Sequence, residues 1–333
     1  MTIPPRSATH PSRPFVRLLL VVLATLATSA CLPTGKAPSQ SVEVARQAIY
    51  SGHFSQDGQW LLIGSYYHGG NLWSTSPVNR HFDWNHQSDG TTGIIGAAFS
   101  ADGRYAASND NRTIVLWDMN SGEAKGFWTA PGVIESMQLT SDGRYAMLGL
   151  EDNSATLFDI QNGGIRARYP HSDIVYSVAM SRDALQLVTG CADGLVQVWK
   201  SGQTEPLIKV QQDNPVRTVA MTSDGRLIFA SALGKPGRIM EASSGRVVAE
   251  LPALRGYYTA ARFSDNGDQL LTGSSSGQVQ LWTSNSGALQ EEWYSKGFSL
   301  FANTRTQVED VAFARDGGVL AITSNGQLHI MKR

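Results

Sequence analysis

The chain is short of cysteine: its 333 residues carry two, Cys31 and Cys191. Two thiols cannot hold a disulfide framework, so the fold has to rest on packing. It is also short of net charge. Twenty-seven Lys+Arg stand against 28 Asp+Glu, a formal −1. A surface so balanced lacks the basic stripe that phosphate backbones demand, and nucleic acid is not an expected partner. Long apolar runs are missing too. "LLLVVLATLA", Leu18 to Ala27, has ten residues, where a membrane-spanning helix needs about 20. Glycine is what the chain has in number, 33 of them, set between short apolar stretches. That pattern reads as β-rich and not helical.

The N-terminus stands apart. Arg6, Arg13 and Arg17 precede the apolar run and "TSAC" follows it, the order of an export signal, here residues 1–30. Its removal takes three arginines and no acids, leaving 24 − 28 = −4. Ala30-Cys31 resembles the lipobox of bacterial lipoproteins. The resemblance implies that Cys31 becomes a lipidated first residue, anchoring the chain to a membrane. Leu32 in place of aspartate implies the outer membrane, periplasmic side. Ordinary cleavage after "TSA" would instead leave a soluble periplasmic protein. Residues 31–38 then read as a tether ahead of a folded domain, 39–333. Cys191, in the strand-like "LVTGCADG", reads as a small buried residue.

One phrase recurs seven times: "FSQDG", "FSADG", "LTSDG", "MSRDA", "MTSDG", "FSDNG" and "FARDG". Its anchors are Asp57, Asp102, Asp142, Asp183, Asp224, Asn266 and Asp316, spaced by 45, 40, 41, 41, 42 and 50 residues. An apolar residue stands three positions before every anchor, from Phe54 to Phe313. Fifteen or sixteen positions after it comes Trp73, Trp117, Phe158, Trp199, Met240, Trp282 or Met331. A period in the low forties calls for repeat architecture. Within each copy, alternating apolar residues and Gly/Asp/Asn turns mark antiparallel hairpins, with Asp193-Gly194 and Asn325-Gly326 suited to tight turns. Four strands in forty residues leave no room for a helix and make one propeller blade. The expectation is an all-β, seven-bladed propeller.

The "SxDG" turns and the tryptophan closing the third strand, with "LWD" at Leu116–Asp118 the nearest match, resemble the WD-repeat β-propeller family. The resemblance covers roughly residues 42 to 333. It implies a protein-binding scaffold without catalytic activity or cofactor. Most copies lack the family's Gly-His start. "PHSD", Pro170–Asp173, has a histidine in that place, and there His171, Thr189, Asp193 and Trp199 match the family's hydrogen-bonded network, which implies a structural role for all four. The seventh copy stops after its third strand, and an unpaired edge is an aggregation hazard. "SQSVEVARQ", Ser39 to Gln47, is therefore expected to supply the missing outer strand.

The repeat also disposes of apparent chemistry. "GSSSG" around Ser275 fits a hydrolase nucleophile pattern, but that motif needs a strand-to-helix elbow, and the repeat places it in a hairpin turn. "DNGD", Asp265–Asp268, lacks the terminal glutamate of a calcium loop. His81 and His86 flank Asp83 without a registering Cys or acid cluster, so no metal site is expected. Trp84, Trp128, Tyr169, Val210, Leu251 and Trp293 share one fourth-strand position and read as packing.

Departures from the repeat carry the functional expectation. Two connections between blades are long: Asn85–Gly93 with nine residues and Tyr294–Gln307 with fourteen. Long loops on a rigid scaffold concentrate binding residues. Tyr294, Lys296, Phe298, Phe301 and Arg305 in the second, with His86 in the first, are the candidate contacts to a protein partner. Phe298 and Phe301 folding back onto the blade edge is the competing reading. The alternative function, an enzyme or small-ligand binder using the central channel, is disfavoured by inner-strand phrases such as "VYSVAM" and "VRTVAM", which look small and apolar.

Overall fold

A computed structural model describes residues 1–2, 35–65, 69–86, 93–254, 256–295 and 306–333. Lys36–Arg333 forms one compact unit of seven four-stranded antiparallel sheets, with no helix among the described residues. Six blades are consecutive in sequence. Blade four, for instance, runs Val175–Met180, Gln186–Cys191, Leu195–Lys200, Ile208–Gln211 from the inner strand outwards. Blade seven is assembled from both ends. Gln40–Glu43 pairs antiparallel with Gln327–Met331, Gln40 opposite Ile330 and Glu43 opposite Gln327, so the expected closing strand is in place.

The recurring phrase is a turn whose parts bond to one another. In six copies a Ser or Thr hydroxyl donates to the anchor side chain two residues on, as from Ser100 to Asp102 at 2.7 Å and from Ser264 to Asn266 at 2.7 Å. The anchor then accepts the N–H two residues further, as from Arg104 at 3.0 Å. The residue between them turns back with positive φ, which glycine adopts without steric cost. Ala184 takes that conformation at φ 56° in the copy that lacks glycine.

There is no single core. Seven apolar clusters occupy the seven seams between neighbouring blades. Leu62, Leu72 and Trp84 of blade one meet Ala106, Val115 and Trp117 of blade two, the two indole rings stacking 4.8 Å apart. Each blade thus buries its apolar faces only with neighbours on both sides, at about 2–3 kcal/mol for a large buried side chain. Trp84, Tyr169, Leu251 and Trp293 are all buried, the packing role expected of that position.

Lys36, read as part of a free tether, is seated on blade six. Its N–H donates to Glu292 O at 2.8 Å, its carbonyl accepts from Tyr294 N at 3.0 Å, and its ammonium lies 2.5 Å from Glu291. Trp293 is its parallel partner. The segment therefore spans two blades, six and seven, across the ring closure.

Candidate functional site at the upper mouth of the channel

The inner strands surround a central channel of about 420 Å³. We call upper the end where these strands begin, since every connection from an outer strand to the next inner strand emerges there. Six of the seven inner strands carry a β-bulge at their second residue, where register shifts between Ile49/Ser51, Ile134/Ser136, Val175/Ser177, Val216/Thr218, Tyr258/Ala260 and Val308/Asp310. A bulge leaves one residue out of the ladder and re-aims its side chain. The bulged residues are Tyr50, Glu135, Tyr176, Arg217, Thr259 and Glu309. Ile95 completes the ring just ahead of blade two's inner strand. All but Tyr50 line the channel, and Tyr50 is exposed at the rim.

Each member of this ring lies seven positions before an anchor, a register that could have been read from the sequence. Judging "VYSVAM" and "VRTVAM" by their small residues missed it: Tyr176 and Arg217 are the members that project. The Arg217 guanidinium sits 3.8 Å from the centre of the Tyr176 ring, a cation–π contact that leaves its charge without a carboxylate partner among the described residues. Glu135 faces Glu151 of the neighbouring turn. Burial and then the hydrogen bond and charge of Glu151 raise its pKa, while Arg217 opposes. Glu309 is pushed up to about 7, chiefly by burial; Gln307 opposes this and Asp310 adds to it.

Below the ring, inner strands are tied across the seams. Ser136 Oγ accepts from Val178 N at 3.3 Å, Ser177 Oγ from Val219 N at 3.0 Å, and Thr218 Oγ1 donates to Tyr258 O at 2.7 Å. Arg262 reaches from blade six to Asp310 of blade seven at 2.9 Å and to the carbonyls of Phe54 and Ser55 in blade one. Asp310 accepts in addition from Phe54 N at 2.8 Å. With every partner satisfied, this pair clamps three blades. His53 lies beside it, its pKa lowered by burial, with Asp310 raising it and Arg262 lowering it. At the lower end, Asp265 of blade six approaches Gln56 of blade one at 3.5 Å and Arg182 of blade four at 3.9 Å. Among the described residues the channel is thus crossed by a hydrogen bond and an ion pair below and by neither above, which gives it the form of a well.

The residues expected to act fall out as follows. Cys31, Lys296, Phe298, Phe301 and Arg305 lie outside the described residues. Tyr294 is described: its hydroxyl accepts from Gln278 at 3.0 Å and its backbone holds Lys36. His86 has its side chain turned inward. Its side chain is 2% exposed, Nε2 meets Ser108 Oγ at 2.9 Å, Ser108 accepts from Trp117 Nε1 at 2.7 Å, and Asp110 stands 3.6 Å from Nδ1. The long connection ahead of blade two hid this histidine from the repeat register, although it is the one that closes a buried chain of polar groups. In blade four, Trp199 donates to Thr189 at 3.1 Å. His171 meets Trp199 edge-on with no hydrogen bond at either ring nitrogen, and Asp193 accepts from Ser172 instead. Ser275 Oγ accepts from Tyr257 N at 3.1 Å, a turn contact. His81 rests on Ser74 and Trp60. Burial pushes the Cys191 thiol up to about 12.

The family model "WD domain, G-beta repeat" matches residues 83–118, 165–200 and 248–283. Each match starts in one blade's outer strand and ends with the next blade's third strand, so sequence repeat and structural blade are offset by one strand. Among similar curated proteins are Autophagy-related protein 16 of Arabidopsis thaliana, 22% identical over 56% of this chain and 37% of that protein, and WD repeat-containing protein SL1-17 of Schistosoma mansoni, 24% identical over 60% and 66%. An uncharacterized WD repeat-containing protein of Synechocystis is 30% identical over 43% of this chain and 42% of its own length. The chain thus matches about two fifths to two thirds of these relatives' length. Together with seven staggered four-stranded blades, these matches identify the chain as a member of the WD-repeat β-propeller family.

Proposed function

We propose that the chain is a lipid-anchored, non-enzymatic scaffold of the bacterial envelope, held at the periplasmic side of the outer membrane through Cys31, and that it binds a protein partner by its upper face. The observation that carries this reading is the upper face itself. The two long connections and all seven ring positions open on it, and among the described residues its turns and connections carry Asp110, Glu151, Asp152, Asp173, Asp193 and Asp213 against Arg112 and Lys235, with Arg217 on the ring. Such a rigid, charged platform favours a partner with a complementary basic patch. The seams that hold the platform are local and repeated, so surface variation there costs the fold little.

A photo-crosslinking residue at Tyr50 on the upper rim, compared with one at Leu185 in a lower turn, tests the face in intact membranes. Both side chains are exposed, 41% and 57%. The expected result is one defined adduct from position 50 and none from 185. Equal labelling from both, or labelling from 185 alone, would overturn the assignment. Intact-mass measurement of the mature N-terminus tests the anchor separately: an unacylated Cys31 rejects it.

A further inference from the structure

The well contains an acceptor that the partner reading does not use. Asn109, at the upper end of blade two's second strand, is 1% exposed, lines the channel, and has a side-chain oxygen without a hydrogen-bond partner. Its amide nitrogen donates to Asp110 O at 2.7 Å. A carbonyl can only accept, which fixes the amide orientation and turns Oδ1 away from that contact. Gly96 lies across from it; a Cβ there would stand 2.4 Å from Asn109 Oδ1, so only glycine leaves this oxygen its space. A buried acceptor left unmatched is costly and calls for a donor.

The other polar groups of the mouth call for the same thing. Glu135 and Glu151 on blade three are acceptors that crowd one another. Glu309 on blade seven is an acceptor held out of water. In a ring of seven, blades three and seven are nearly opposite. Of the guanidiniums lining the channel among the described residues, Arg262 is taken up by Asp310 and Arg217 is stacked on Tyr176, and neither forms an ion pair with Glu135 or Glu309. Between the two acidic positions the rim carries Tyr50 and Ile95 on one side and Tyr176, Arg217 and Thr259 on the other, so an apolar or aromatic residue flanks Glu135 on each side.

We propose that the upper mouth of the channel is a binding site for an aliphatic diamine or polyamine. One ammonium sits between the carboxyls of Glu135 and Glu151 and donates to Asn109 Oδ1. The other sits at Glu309, and the methylene chain crosses the mouth against Ile95 and Tyr176. Ammonium groups supply donors and charge, and a short chain fits a well of about 420 Å³, whereas a folded segment would not. The site does not depend on the lipid anchor, and it shares the upper face with the proposed partner surface.

The test is equilibrium dialysis of the mature chain against putrescine and spermidine, with n-butylamine and the peptide Gly-Lys-Gly as comparisons. Saturable binding of one diamine per chain is expected, with n-butylamine much weaker because it engages one acidic position only. Glu135→Gln and Glu309→Gln should each weaken binding about tenfold, the loss of one charge-assisted contact, while Asp268→Asn in a lower turn leaves it unchanged. Glu135 is partly desolvated at its carboxyl but exposed as a residue, so its replacement spares the fold and misfolding does not explain a loss. No binding at millimolar diamine, or binding unaffected by both variants, overturns the proposal. So does Gly-Lys-Gly binding as tightly as putrescine, which would make the site a reader of one lysine side chain.

Discussion

Replacing Glu309 by glutamine should make the protein more stable at pH 8 and leave it unchanged at pH 4. Burial holds this carboxyl up to about 7 against an ordinary 4.5. Between those values the folded chain keeps a proton that the unfolded chain has released. Stability from this group therefore falls as pH rises through that window and is lowest above it. At about 1.4 kcal/mol per pH unit, the interval corresponds to roughly 3 kcal/mol at pH 8, an upper bound for a half-buried group. Glutamine keeps the shape and the contact to Gln307 but cannot ionise. Urea unfolding of both proteins at pH 4 and pH 8 reads the effect directly. Contributions from His53 and the other titrating groups are common to both chains and cancel in the difference. A gap between variant and parent that is the same at both pH values, or a variant less stable at pH 8, would refute the reasoning. An acid kept at a cost to the fold is the pattern of a site retained for binding.

Four further outcomes follow from the packing. Arg262→Ala strips Asp310 and the carbonyls of Phe54 and Ser55 of their partner and should cost about 3 kcal/mol in urea unfolding. Arg262→Ala/Asp310→Ala should cost less than the two single changes summed, because no lone charge remains. His86→Ala should lower stability by about 2 kcal/mol through the loss of one of Ser108's two partners, seen as a lower unfolding midpoint, without changing crosslinking at position 50. Cys191, with its thiol pushed up to about 12, should resist alkylation at pH 8 and react fully in denaturant; rapid labelling of the native protein would show that blade four's seam opens.

The ring was legible because its information is repeated. An anchor, an apolar residue before it and a large residue after it recur in register, and the same turn chemistry, hydroxyl to carboxylate to N–H, underlies each copy. The closing strand was legible from the arithmetic of edges. The site was not, for a physical reason: a bulge changes which face a residue serves without changing its spacing. Glu135, Tyr176, Arg217 and Glu309 stand in the same register as Ile95 and Thr259, and nothing in residue type alone says that this column leaves the ladder. Asn109 was invisible for the opposite reason. Its significance lies in an oxygen with no partner, which depends on Gly96 across the seam and on the carbonyl of Asp110. The surroundings of His86 were not legible because a long connection reads as exposed, while its buried imidazole completes the chain from Asp110 through Ser108 to Trp117. Repetition therefore exposes what the blades share, and a site consists of what they do not share. The column seven before each anchor is where those differences collect, since there the backbone is fixed by the fold and the side chain alone is free to vary.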